Sequence, residues 1–256
     1  MSISAKSPGE YLLIRNAVEK ESIWLQELAN ILPNSCQLDG FDISDILLPD
    51  KSSLPENITF YLQNFLQPFP EEFIGKYDVV NVRVMVVALS SDEWEPAVRN
   101  LMTLLRMSKT HPGGHLQWVD CAAHECIVKA PEGTNPVNAN RGMDLFRKTM
   151  NALGKTPKSL TKSSTAALHG IFQKSGLDAC EEQIFTLTNP EVRDNLNFSV
   201  ATAIAHCLTA ALKLHKLEDM QSEDEIRNLK EGMLEDLRST HCWFCYDVYV
   251  VVGRKS

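Results

Sequence analysis

A chain of 256 residues, 44% of them apolar, is long enough to bury a sizeable core and suits a single α/β domain with some elaboration. Its formal charge of −8 and isoelectric point near 5.4 argue against nucleic acid or an anionic membrane surface as the main partner, since either would be repelled on average. No apolar run approaches the roughly 20 residues of a membrane span, and Met1–Gly9 lacks the charged-then-apolar order of a secretory signal. A soluble, cytoplasmic chain is therefore expected. Seven scattered cysteines are an odd number for a disulfide framework, so reduced and mostly buried thiols are expected too.

In chain order, Tyr11–Ile14 is a short strand candidate, and Ile23–Leu32 spaces its apolar residues as a helix packed on a sheet until Pro33-Asn34 ends it. Cys36–Phe41 follows as a strand with Asp42 at its carboxyl end, the edge at which open parallel sheets bind ligands. Ile58–Leu62 is the next strand. After Pro68-Phe69-Pro70, the β-branched run Tyr77–Val82 reads as a strand buried on both faces. Trp94–Met107 is an amphipathic helix, and Pro112-Gly113-Gly114 turns the chain into a strand at His115–Val119.

Cys121–Pro136 reads as a loop and Met143–Leu153 as a helix, so residues 121–160 form a candidate lid over the sheet's ligand edge. A helix stop at Ser175-Gly176 leads into a strand, Asn197–Leu214 is a long alanine-rich helix, and the strongly charged Glu223–Arg238 reads as a solvated helix face. Trp243–Val252 is one terminal strand. No internal repeat or low-complexity tract is present.

Two features are missing or weak at the chemical level. Binding of a nucleotide at such an edge uses a glycine turn after the first strand, yet between Met1 and Asp39 the single glycine is Gly9, which precedes Tyr11–Ile14. Cys242-x-x-Cys245 beside His241 has zinc-like spacing but no second pair, and strand alternation would put the two thiols on opposite faces, so no metal site is predicted. His111, His115 and His124 cluster around the Pro-Gly-Gly turn and the following loop. His115 and His124 are the candidate general bases, with Asp120 and Glu125 nearby.

The series Ile23-Trp24, Gly40-Phe41-Asp42-Ile43-Ser44, Leu54-Pro55-Glu56-Asn57, Pro68-Phe69-Pro70, Tyr77–Arg83, Pro112–Trp118 and the terminal Val-Gly-Arg-Lys resembles fungal class I S-adenosylmethionine-dependent methyltransferases of secondary metabolism. The resemblance spans most of residues 11–254. It implies a Rossmann-like α/β sheet with helices on both faces, its last strand antiparallel, and S-adenosylmethionine as cofactor. By the same resemblance Asp42 takes the ribose hydroxyls, Asn64 stands near the adenine amine, and Arg83 holds the pocket edge or a substrate carbonyl. Aligning on Ile23-Trp24 puts Asn16 at the family's acidic position and Val18, Lys20 and Ser22 at its three glycines. A second alignment deletes the first strand and its loop. Either alignment makes the first strand and glycine loop atypical.

The expectation is a methyltransferase-like protein of a fungal secondary-metabolite pathway. Its S-adenosylmethionine binding is impaired, and it acts on or assists conversion of a small-molecule intermediate, with a partner enzyme of the same pathway. The alternatives are an active methyltransferase and a regulatory subunit of a methyltransferase-like complex.

Overall fold

A computed structural model describes residues 24–45, 48–90, 92–107, 113–153 and 165–256. The strand candidate Tyr11–Ile14, the aligned loop positions Asn16, Val18, Lys20 and Ser22, and His111 lie outside them. A short helix, α1 (Trp24–Ala29), leads to strand β1 (Leu38–Asp42), which pairs in parallel with β2 (Ile58–Leu62), Leu38 opposite Ile58 and Asp42 opposite Leu62. Gly40 makes this packing possible, because a Cβ there would run into the Phe60 ring and the Leu25 side chain.

Strand β3 (Val79–Arg83) pairs in parallel with β4 (His115–Cys121). The last strand, β8 (Asp247–Lys255), lies antiparallel between β4 and β6 (Leu177–Thr186), so the sheet order is β3-β4-β8-β6. This is the expected Rossmann-like α/β class with its antiparallel last strand. Among the described residues no ladder joins the β1–β2 pair to the four-stranded sheet. Side chains bridge the seam: Asp39 accepts hydrogen bonds from the Tyr77 hydroxyl at 2.7 Å and the Lys76 ammonium at 2.9 Å. Behind this bridge the Phe41 ring stacks on Tyr61 and meets Phe69, Phe73 and Tyr77 edge-on.

The register sends Val80, Val82, Leu116, Trp118 and Val251 to one face, where all are buried. Helix α2 (Trp94–Leu104) covers that face, with the Trp94 and Trp118 rings 5.2 Å apart. Trp118 is therefore a core residue. Helix α3 (Val137–Ala152) is followed by α4 (Thr165–Lys174), α5 (Arg193–Lys213) and α6 (Glu223–Ser239); α3, α5 and α6 pack mutually. Helix α5 is long and apolar enough to cross a membrane by length and composition alone, which no continuous run in the sequence had suggested. Much of its apolar surface, including Ile204, Leu208 and Ala211, lies in the core.

Three sequence expectations change. Strand β3 is not buried on both faces: Val80 and Val82 are buried, while Val79, 58% exposed, and Arg83, exposed, alternate to the opposite face, which the described residues leave open. The loop expected at 121–136 contains a 3-10 turn at Ala123–Glu125 and a short strand, β5 (Ile127–Lys129). The single terminal strand is broken at Tyr246: β7 (Trp243–Cys245) pairs with β5, while β8 continues in the main sheet. Helix α6 turns a charged face to solvent as expected, and Ile226, Leu229, Met233 and Leu237 recur at helical spacing on its buried side.

Caps that the sequence hides hold these pieces together. Helix α3 starts without a side-chain cap of its own, and Asp236 of α6 supplies one, accepting from the Asn138 and Ala139 amides at 2.5 and 3.1 Å. The terminal Val-Gly-Arg-Lys is equally structural. Lys255 donates to the Met102 and Leu105 carbonyls at the end of α2, and Arg254 forks onto Asp178 at 2.9 and 3.2 Å.

Candidate functional site

Arg83 and Cys121 end parallel strands of one sheet, and Asp42 ends β1, so the carboxyl edge of these strands carries most of the predicted site. Asp42 Oδ1 accepts the Ser44 amide at 2.9 Å, closing a tight turn directly after the strand. Asn64 follows β2, and its Oδ1 accepts the Leu66 amide at 2.9 Å in the same manner. The Asn64 carbonyl accepts from the Gln63 carboxamide at 3.1 Å and from the Gln67 amide at 2.8 Å, so this loop is ordered by its own amides. Arg83 is exposed, with its guanidinium 5.4 Å from the Trp24 ring centroid. Among the described residues no carboxylate lies within ion-pair distance of it.

The two histidines separate. His115 is the first residue of β4, opposite Arg254 in register, and the hydrogen bonds from Arg254 and Ser256 hold the nearby Asp178 carboxyl below the usual range. It therefore lies at the amino end of a seven-residue strand, about 20 Å from the edge that carries Arg83 and Cys121. His124 lies in the turn after β4, on the side of the carboxyl edge. Both of its ring nitrogens are buried without a partner. Burial holds the ring below the usual histidine range; Glu125 opposes this and Arg147 adds to it.

Asp120 is fully occupied by the fold. Its carboxylate accepts from the Met85, Val86 and Cys121 amides at 2.7, 3.3 and 2.9 Å and from the Trp118 indole at 3.0 Å. Burial pushes its carboxyl up to about 6, against the four donors that pull it down. The clamp fixes the chain just after β3, where Val84 adopts φ +53°, an uncommon conformation for a β-branched residue, while remaining 51% exposed.

Helix α3 supplies a part that sequence reading missed. Arg147 donates from Nε to the His124 carbonyl at 3.0 Å and from a terminal nitrogen to the Cys126 carbonyl at 2.6 Å. Its partners stand 21 and 23 positions away in sequence and offer only backbone oxygens, so no residue-type pattern marks the contact. Burial pushes the thiol of Cys126 up to about 12 and that of Cys121 higher still, which leaves both protonated at neutral pH. Cys242 precedes β7 and Cys245 ends it, both buried. Among the described residues no group of three or more His, Cys, Asp or Glu side chains is placed to hold a metal ion.

No protein-family model matches the chain. Among curated proteins, the methyltransferase grgD of a Penicillium species is 29% identical over 262 residues, covering 97% of this chain and 85% of that protein. The N-methyltransferase tcpN of Claviceps purpurea is 26% identical over 247 residues, covering 93% and 82%. Among solved structures, a putative sarcosine dimethylglycine methyltransferase from Galdieria sulphuraria superposes with a TM-score of 0.45 at 12% identity, covering 86% of this chain and 70% of that one. Along nearly all of its length, the chain is similar to these fungal methyltransferases, the resemblance that its own motifs carry.

Proposed function

We propose that the chain is a methyltransferase-like protein of a fungal secondary-metabolite pathway, impaired in binding S-adenosylmethionine, which holds or helps to convert a small-molecule intermediate. The observation that carries this reading is the lack of a glycine turn: Gly9 is the one glycine before Asp39. Without it the backbone has no small-residue cradle for the methionine part of the donor. In the alignment on Ile23-Trp24 a lysine, Lys20, takes one glycine position, which brings positive charge toward a sulfonium.

The remaining donor residues fit the same reading. Asp42 and Asn64 each give a side-chain oxygen to a local amide, so both serve turns at the edge as well as any ligand. Conversion without a donor is chemically reasonable, because orienting an intermediate in a pocket that excludes water can lower a barrier by several kcal/mol. Work beside a partner enzyme in the cytoplasm belongs to this proposal.

A second reading, an active methyltransferase, is favoured by one fact: Asp42 stands at the carboxyl end of β1, where a ribose-binding acid belongs. Calorimetric titration with S-adenosylmethionine and S-adenosylhomocysteine separates the two. The first reading predicts no saturable heat, and the second predicts binding that Asp42→Ala weakens.

A further inference from the structure

A cleft of about 460 Å³ lies between helix α3 and the connection from α5 to α6. Among the described residues none from the four-stranded sheet lines it. Two adjacent rows of α3 face the cleft, one with Val137, Arg141 and Leu145 and the other with Asn140, Asp144 and Lys148, each at the four-residue spacing that stacks side chains along a helix. Asp219 lines it from the connection, and Asn135 from the chain that enters α3.

The charges in the cleft select its ligand. Asp144 is paired with Arg147 at 3.0 Å and Asp219 with Lys148 at 3.3 Å, so both carboxylates are neutralised by cations of α3 itself. Arg141 is left over. Among the described residues no carboxylate lies within ion-pair distance of it, and it is exposed in the middle of its row. One net positive charge therefore remains, on the side chain whose planar fork fits a carboxylate best. Val137, 59% exposed, and the buried Leu145 stand one turn before and one turn after it, which puts apolar surface on either side of the guanidinium. The exposed Asn135 and Asn140 carboxamides add neutral donors at the same cleft.

We propose that this cleft binds a small monoanionic carboxylate on an apolar frame, with Arg141 gripping the carboxylate and Val137 and Leu145 meeting the frame. Asp42 takes no part in the site, so its occupancy is independent of whether the sulfonium donor binds.

The test uses the full chain labelled with 15N, its Asn135 and Asn140 side-chain amide signals assigned by comparison with Asn135→Ser and Asn140→Ser. Benzoate, its neutral isostere benzamide and the ringless acetate are added separately at millimolar concentration. Benzoate is expected to shift both carboxamides saturably, benzamide to bind about tenfold more weakly and acetate about fivefold more weakly. Arg141→Gln, a change at an exposed position, is expected to weaken benzoate about tenfold and to leave benzamide unaffected. The proposal is overturned if benzoate moves neither carboxamide, if benzamide or acetate binds as tightly as benzoate, or if Arg141→Gln binds benzoate like the wild type. An equal loss in Arg227→Gln, on α6 and outside the cleft, would also overturn it, because benzoate would then be drawn to surface cations in general.

Discussion

Asp120 accepts the Met85 amide at 2.7 Å and so ties the end of β4 to the chain that leaves β3, across 35 positions of sequence. Two neighbouring strands are locked together at the carboxyl edge by a carboxyl group that water does not reach. Its folded value of about 6 lies above the ordinary 3.8, so between those values the folded protein binds a proton more tightly than the unfolded chain. The stability it contributes is therefore complete below pH ~4 and is lost as pH rises through about 6, with a ceiling of about 3 kcal/mol for that difference. Urea unfolding of wild type and Asp120→Asn at several pH values checks this. The variant is expected to lose that downward slope between pH 4 and 6, and an unchanged slope would assign it to other groups.

Val84 holds φ +53° on an exposed surface, so its side chain contributes strain without core packing. Val84→Gly is expected to stabilise the protein by about 1 kcal/mol, the relief of strain exceeding the extra flexibility of glycine in the unfolded chain. For a domain of this size that raises the melting temperature by roughly 2–4 °C. A fall in melting temperature would mean that the Val84 side chain makes a contact worth more than its strain.

Asp236 caps α3 from a different helix. Asp236→Ala leaves the Asn138 and Ala139 amides without their acceptor and is expected to cost about 1–2 kcal/mol in urea unfolding. Arg227→Ala provides the contrast. Its pair with Asp224 is exposed on both sides, and its removal is expected to change stability by no more than about 0.5 kcal/mol.

Lys255 donates to Met102 and Leu105 at the carboxyl end of α2. Lys255→Met preserves the length of the stem and removes the charge, so it isolates the cap from the packing. A loss of about 1 kcal/mol is expected by thermal unfolding. An unchanged melting temperature would show that the helix end is equally well satisfied by water.

Much of this architecture is legible in the sequence because its signals are local. The apolar run of β2, the glycine turn before His115 and the amphipathic spacing of α2 each announce their element within a few residues, and the ordered motifs point to the fungal methyltransferases that the chain is similar to. What escapes is set by distant partners. The break at Tyr246 follows from β7 pairing with β5 instead of entering the main sheet, and nothing in the run Trp243–Val252 encodes that choice. Two histidines one and ten residues beyond Gly114 would look equivalent as site residues if strand direction were ignored; β4 starts with one, away from the edge, and carries the chain past the edge to the other. Arg147 and Asp236 act on backbone atoms, which leave no mark in residue identity.

Whether a sulfonium nucleotide can settle beside Asp42 is tested most directly by calorimetry. Wild type and Asp42→Ala are each titrated with S-adenosylhomocysteine and S-adenosylmethionine. Neither protein is expected to yield a saturable isotherm, and neither compound is expected to change their melting temperatures. Stoichiometric binding by wild type that Asp42→Ala abolishes would contradict this and show that the chain holds the donor at that edge.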